Sequence, residues 1–199
     1  MNILRIRKSN HEYIVEIEGR DPLSLKESVF VRHNLYKGKA VTDDDIATIV
    51  ADAERQEAID VALRKLRNRK TEHEIRSLLS REGFDDTSID AAVDYLEDYR
   101  LIDDEEYALL YARDKRHING YGPVKIAYFL KRKGVDDDHI ERALADYDDD
   151  EERRLILQLI EKKYVRGGEL TKEVPKIIRF LLSRGFHYEA IKAVLSAWD

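Results

Sequence analysis

The sequence contains no cysteine, and only three prolines, nine glycines, one methionine and one tryptophan in 199 residues. The missing cysteines exclude a disulfide framework, a thiolate zinc site and a cysteine nucleophile, and they suit a reducing compartment. Scarce proline and glycine argue against a loop-rich or disordered chain. With 43% hydrophobic and 38% charged residues, the composition points to a helix-rich globular protein with a substantial core. No apolar run approaches the roughly 20 residues of a membrane span, and Met1 to Lys8 lacks the apolar centre of a secretory signal. A soluble, cytoplasmic protein without membrane contact is expected. Positive charge is also in deficit: 35 lysines and arginines face 41 aspartates and glutamates, for a net charge of −6. That balance argues against a protein held on nucleic acid by bulk electrostatics.

What the chain does have is a repeat. One apolar template occurs three times at a spacing of 51 residues: Ile75, Leu78, Leu79, Gly83, Phe84, Ile89, Val93 and Leu96; then Ile126, Phe129, Leu130, Gly134, Val135, Ile140, Leu144 and Tyr147; then Ile177, Phe180, Leu181, Gly185, Phe186, Ile191, Leu195 and Trp198. Such a period marks tandem copies of one supersecondary unit. In each copy the i, i+3, i+4 pattern predicts a short amphipathic helix that ends at the glycine, where a left-handed residue stops a helix cheaply. A second helix comes two or three residues later, and a longer one precedes each pair: Ala58 to Leu66, Tyr107 to Arg116, and Leu155 to Lys163. Thr71 to Glu74 matches a capping box, Asp103 to Glu106 caps similarly, and Pro123 and Pro175 suit first-turn positions.

The first forty residues differ. Ile3 to Ile6 and Tyr13 to Ile17 read as a hairpin around Lys8-Ser9-Asn10, Asp21-Pro22 breaks it, and Ser28 to Val31 reads as a third short strand. Thr42 to Asp45 reads as the N-cap of a helix running to about Asn68, with or without a break near Ala53. The expected fold is mainly all-α: three tandem three-helix repeats in an elongated stack, with a small β-rich N-terminal extension that packs on the adjoining helical region. The expected divisions are the extension over 1–41, a linker helix and first repeat over 42–102, a second repeat over 103–147 and a third over 148–199.

Charge alternates with the repeat. Arg64 to Arg76 holds six basic and two acidic residues, Arg113 to Lys133 seven and one, and Arg153 to Arg184 nine and three. Between them, Asp85 to Asp98 holds six acids and no base, and Asp136 to Glu152 holds ten acids against Arg142 alone. Acids at helix starts and bases at helix ends complement the helix dipole and give a purely structural account of the bands. The competing account is a face built to meet a partner.

Catalytic constellations are missing. Asp146 to Asp150 has acids at calcium-loop spacing, yet Glu151 stands where that loop needs glycine and Leu157 where it needs glutamate. The six histidines show no i, i+4 pair of the zinc-ligand kind. Gly120-Tyr121-Gly122-Pro123 opens a helix without the Gly-Lys-Ser/Thr ending of a nucleotide loop. Neither an enzyme nor a cofactor or metal site is expected. Tyr95, Tyr99, Tyr107, Tyr111, Tyr121 and Tyr128 crowd the central unit; Tyr107 and Tyr111 share a helical face, and Tyr121, in a loop, is expected to be the exposed one.

The run from Ala62 to Ile75, with Leu79 and Gly83, resembles the opening repeat of the RecX regulators of the RecA recombinase. Ile102 to Ala108, continuing through Tyr111, Lys115, Gly120, Ile126 and Leu130 to Lys133-Gly134, resembles that family's central repeat. The likeness covers roughly residues 40 to 199. The third unit matches mainly through its last two helices, and Glu169 to Lys172 suggests a longer link before Pro175. The resemblance implies a non-enzymatic protein that binds along the RecA filament on single-stranded DNA and restrains its recombinase, ATPase and co-protease activities; separately, a monomer is expected. On that reading Arg113, Lys115, Arg116, Lys131, Arg132, Lys133, Lys162, Lys163 and Arg166 would meet acidic filament surface or exposed DNA backbone. The rival is a helical-repeat protein that binds nucleic acid directly, its basic bands on phosphates and Tyr121 as a stacking platform.

Overall fold

The computed structural model describes residues 1–10, 12–166, 169–170 and 173–196. Trp198 of the apolar template, and Thr171 and Lys172 of the expected link, lie outside the described residues. The elements in chain order are β1 (Ile3–Ser9), β2 (Glu12–Ile17), β3 (Leu23–Lys26), α1 (Glu27–Arg32), α2 (Asp43–Lys65), α3 (Glu72–Glu82), α4 (Asp86–Asp98), α5 (Asp104–His117), α6 (Pro123–Arg132), α7 (Asp137–Leu144), α8 (Asp149–Tyr164), β4 (Val165–Arg166), β5 (Glu169–Leu170), α9 (Val174–Ser183) and α10 (Tyr188–Leu195). Residues 1–68 and 75–101 form one compact unit, and residues 69–74 and 102–199 a second.

In the first unit, β1, β2 and β3 form an antiparallel sheet in sequence order. Its inner face, with Ile3, Val15, Ile17 and Leu25, shares a core with Val29 of α1 and with Ile46 and Ile49 of α2. The extension therefore packs on the helix next to it in the chain. Ser28 to Val31 is not a strand, as its sequence suggested; it lies in α1, and the third strand is Leu23–Lys26, paired with Glu12 to Val15. The burial explains the correction. Val29 is fully buried while Val31 is 64% exposed, so residues two apart face opposite ways, as a helix turning 100° per residue requires and a strand forbids. Phe30 is held by stacking on Tyr13, with ring centroids 4.1 Å apart. Helix α2 runs unbroken through Ala53 from a capping box in which the Thr42 hydroxyl accepts from the Asp45 N–H (3.1 Å) and the Asp45 carboxylate accepts from the Thr42 N–H (2.9 Å).

The three-helix repeats take the form α2–α3–α4, α5–α6–α7 and α8–α9–α10, the long first helix of each packing on its third. Template positions Ile75 and Leu79, Ile126 and Leu130, and Ile177 and Leu181 are completely buried in all three copies, as are Ile89, Ile140 and Ile191 to within a few per cent. Gly83, Gly134 and Gly185 have φ of +94°, +79° and +85°, the left-handed turns that end α3, α6 and α9.

The junction between repeats recurs at the same 51-residue spacing. The Thr71 hydroxyl, at the start of α3, donates to the Lys133 carbonyl (2.6 Å), and a Cβ at Gly134 would run into the His73 side chain. One period later, the Gly122 N–H donates to the Arg184 carbonyl (2.8 Å), the Val124 N–H donates to that of Gly185 (3.1 Å), and a Cβ at Gly185 would run into Lys125. In both cases the start of one middle helix docks on the glycine turn of the next repeat, a segment that only a residue without a side chain allows so close.

Within the third repeat, Glu152 is only 3% exposed and its carboxylate accepts from the His187 backbone N–H (2.7 Å) and pairs with His187 Nδ1 (2.9 Å), closing the N-terminus of α10, which has no cap of its own. The segment ahead of α9, which the sequence suggested was only a longer link, adds the two-residue ladder β4–β5, Val165 with Leu170 and Arg166 with Glu169.

Gly185→Ala is expected to lower stability by about 1–2 kcal/mol for the left-handed backbone and by a further ~1–3 kcal/mol for the forced contact with Lys125. Gly83→Ala, with open space around its added methyl, meets only the first cost; denaturant midpoints of the two variants measure the difference. Glu152→Ala strands the His187 N–H and is expected to destabilise by about 1–3 kcal/mol, with Glu152→Gln retaining part of the loss, by the same measurement.

A basic cleft in the second unit

Helix C-termini attract cations because their last carbonyls carry partial negative charge. Accordingly α5 ends in Lys115, Arg116 and His117, α6 in Lys131 and Arg132, and α8 in Lys162 and Lys163, while their first turns are acidic in α5 and α8. Much of the alternating charge is thus local helix chemistry.

That does not account for where the ends meet. The exit of α5, the second half of α8 and the end of α9 enclose a cleft of about 490 Å³. Its walls are Arg116 to Gly120, then Leu155, Gln158, Leu159, Lys162 and Lys163 along one i, i+3, i+4, i+7, i+8 stripe of α8, and Phe180 with Arg184 from α9 and its C-cap. Four permanent cations line it and, among the described residues, no carboxylate does. Arg184 organises the far wall: its guanidinium donates to the carbonyls of Asn119 and Gly120 and lies 5.0 Å from the Phe180 ring centre. Lys163 Nζ sits 3.7 Å from the same ring centre, a cation–π contact. Gly120, at φ +60°, brings the loop back so closely that a Cβ would lie 3.3 Å from Leu159. Ile118 projects beside this rim and is 77% exposed.

The cleft's near wall is braced from behind. Arg116 lies 5.4 Å from the Tyr147 ring centre and donates weakly to the Asp146 carbonyl (3.4 Å), while its Nε is buried with no hydrogen-bond partner among the described residues. Burial pushes the Tyr147 phenol pKa up, so its hydroxyl stays protonated and donates to the Tyr121 carbonyl (3.0 Å).

The other sequence candidates are dispersed. Lys131 pairs with Asp137 (2.7 Å). Lys133 pairs with Glu74 (2.8 Å); burial works to lower its pKa, but the bonds to Glu74 and Tyr107 prevail and hold the ammonium above its ordinary range. Lys115 covers Tyr111, and Arg132 covers the exposed Tyr128. Arg113 lines a separate hollow of about 210 Å³ with Arg116, Asp146 and Tyr147, and Arg166 is exposed on β4. Tyr121 is half-buried rather than exposed: it packs on the middle repeat's core, with Phe129 stacked at 6.3 Å and Lys125 Nζ at 4.4 Å. Its burial stems from the glycine junction at Gly122, which pulls the loop inward. Arg116, Lys162 and Lys163 are therefore the three candidates that the fold gathers. Sequence reasoning missed Arg184, Ile118 and Phe180; the one available signal was the repeat itself, since Arg184 occupies the place of Lys133 one period earlier.

Fold and cleft together define a tandem three-helix repeat protein with a polybasic cleft. Residues 103–144 match the model of the second three-helix domain of RecX, and residues 149–195 that of the third. The regulatory protein RecX of Clostridium perfringens (strain SM101 / Type A) is 32% identical over 198 residues, covering 96% of this chain and 92% of that one. The regulatory protein RecX of Bacillus pumilus (strain SAFR-032) is 32% identical over 204 residues, covering 97% and 75%. Among solved structures, RecX from Lactobacillus salivarius superposes with a TM-score of 0.64 at 28% identity, over 75% of this chain and 98% of that one. A further crystal structure of regulatory protein RecX shares the fold with a TM-score of 0.78 over 98% of both chains at 24% identity. The chain belongs to the RecX family of regulatory proteins.

Arg184→Met keeps an apolar stem on Phe180 but removes the bonds to the Asn119 and Gly120 carbonyls. Because those carbonyls can turn to water, the expected loss of stability is about 0.5–1.5 kcal/mol, with faster amide exchange confined to residues 118–121; exchange mass spectrometry with a thermal melt checks both.

Proposed function

We propose that this chain is a modulator of RecA that binds the RecA filament on single-stranded DNA and restrains its ATPase, recombinase and co-protease activities. The observation that carries the reading is the gathering of Arg116, Lys162, Lys163 and Arg184 in one cleft, with no carboxylate among the described residues that line it, in a RecX-family chain whose net charge is −6. A surface that concentrates positive charge in one place while the chain as a whole is acidic suits a protein partner with a matching acidic site better than a polyanion met along its length. Repeated rigid units also suit a repeating target, because each added contact forms at high effective concentration.

Direct nucleic-acid binding has less support. Its stacking platform, Tyr121, is half-buried among Phe129, Lys125 and Arg184. Its other cations are partly spent on Asp137 and Glu74.

The test is DNA-stimulated ATP hydrolysis by RecA on single-stranded DNA as the protein is titrated in, with binding to the naked DNA monitored at the same salt. Inhibition at substoichiometric protein with little naked-DNA binding is expected, and Lys162→Glu/Lys163→Glu should raise the half-inhibitory concentration roughly tenfold, as loss of a complementary charge pair does. Inhibition only when the DNA itself is saturated would establish the direct-binding reading instead.

A further inference from the structure

Four cations gather around the cleft, and what sets them apart is their convergence on one space. Several lysines and arginines elsewhere are neutralised by neighbours: Lys26 by Glu57 and Asp60, Arg142 by Glu105 at 3.0 Å, Lys133 by Glu74. Arg116, Lys162, Lys163 and Arg184 form no ion pair among the described side chains, in a chain with more acids than bases. The helix dipoles favour each of them singly, but holding four like charges around one space calls for an anion to occupy it.

The space is not only basic. Leu155, Leu159 and Phe180 form its floor, and Ile118, 77% exposed, stands at its edge. An exposed branched apolar side chain beside an apolar floor suits a ligand that brings an apolar group of its own. The two demands discriminate between ligands. A nucleic-acid backbone meets the charge and wastes the apolar floor. A base would need an open aromatic face, but the Phe180 ring has Lys163 at 3.7 Å and Arg184 at 5.0 Å from its centre, with Tyr164 against it edge-to-face. Single-stranded nucleic acid also asks for a groove that tracks several nucleotides, whereas a cleft of about 490 Å³ is pocket-sized.

We propose that the cleft binds an acidic peptide segment of the protein partner, seating one bulky apolar side chain between Ile118 and Leu159 while flanking carboxylates meet Lys162, Lys163 and Arg116. The chemistry of this ligand deepens the regulator reading and rests on it only for which protein carries the segment. Ordered backbone supports the site: the Asn119 and Gly120 carbonyls are held by Arg184, so the rim is preformed before the ligand arrives.

The experiment uses the full chain and fluorescence anisotropy of a fluorescein-labelled acidic peptide with a central Leu-Phe pair, with a Ser-Ser version of equal charge and oligo(dT) as competitors. Saturable binding is expected, weakened roughly tenfold by the Ser-Ser replacement and by Lys162→Glu/Lys163→Glu. Ile118→Ser, at a position too exposed to disturb folding, should weaken the Leu-Phe peptide several-fold and leave the Ser-Ser peptide unchanged. Equal affinity for the two peptides would overturn the proposal by reducing the cleft to a charge patch. Displacement by oligo(dT) at matched charge, unaffected by Ile118→Ser, would overturn it in favour of nucleic acid. No recombinase is present in the assay, so its outcome separates from the ATPase test. Peptide binding without ATPase inhibition would leave the cleft's ligand standing and remove the regulator reading; inhibition without peptide binding would do the reverse.

Discussion

The close backbone approach at the second glycine turn is the constraint on which the cleft depends. Two main-chain hydrogen bonds, from Gly122 and Val124 to the carbonyls of Arg184 and Gly185, join the start of α6 to the end of α9. The two glycines are required for different reasons. Gly185 adopts a left-handed φ of +85°, which side chains resist, whereas Gly122 has an ordinary φ of −78° and is needed because any Cβ there would collide with the Gly185 carbonyl. Once this contact forms, the carbonyl that accepts from Gly122 belongs to Arg184, whose side chain then reaches the 119–120 loop and Phe180. Position of the turn and shape of the cleft are one fact.

The same contact one period earlier has a different chemistry. There the Thr71 hydroxyl replaces the backbone donor, and Thr71 and Glu74 also form the reciprocal capping box of α3, at 3.2 Å in each direction. Glu74 then pairs with Lys133. The equivalent pair in the second junction, Lys125 and Arg184, has like charge, so Lys125 donates to the Ser183 carbonyl (2.9 Å) and Arg184 is left to face the cleft. One substitution of acid by base between repeats therefore moves this cation from an ion pair across the junction to the wall of the cleft, where it holds the Asn119 and Gly120 carbonyls. Repetition supplied the geometry, and divergence at a single equivalent position supplied the chemistry.

Features set by local physics were legible in the sequence. The buried template, the glycine stops, the Thr42 N-cap, the Thr71 capping box and the Asp103 cap, which accepts from the Glu106 N–H at 2.8 Å, each arise from residue type and spacing alone. The failures share a cause. Val29-Phe30-Val31 is short and continuously apolar, so periodicity could not choose between strand and helix, and a tertiary core that takes Val29 while leaving Val31 in water decided it. Tyr121 looked exposed because a loop tyrosine usually is, and the junction at Gly122 buried it. The β4–β5 ladder joins two pairs of residues, too few to leave a pattern. Arg116, Lys162, Lys163 and Arg184 are as far as 68 residues apart in the chain, so their convergence is a property of packing that only the three-dimensional structure exposes.

Amide hydrogen exchange at Gly122 and Val124 tests most directly whether this junction holds the cleft together. Both amides are expected to exchange only on unfolding of the second unit, with protection matching that of the buried core amides of Ile126 and Leu130. Exchange at the rate of an open loop, with the core still protected, would show the repeats to be joined by their linkers alone and would contradict a junction that shapes the cleft.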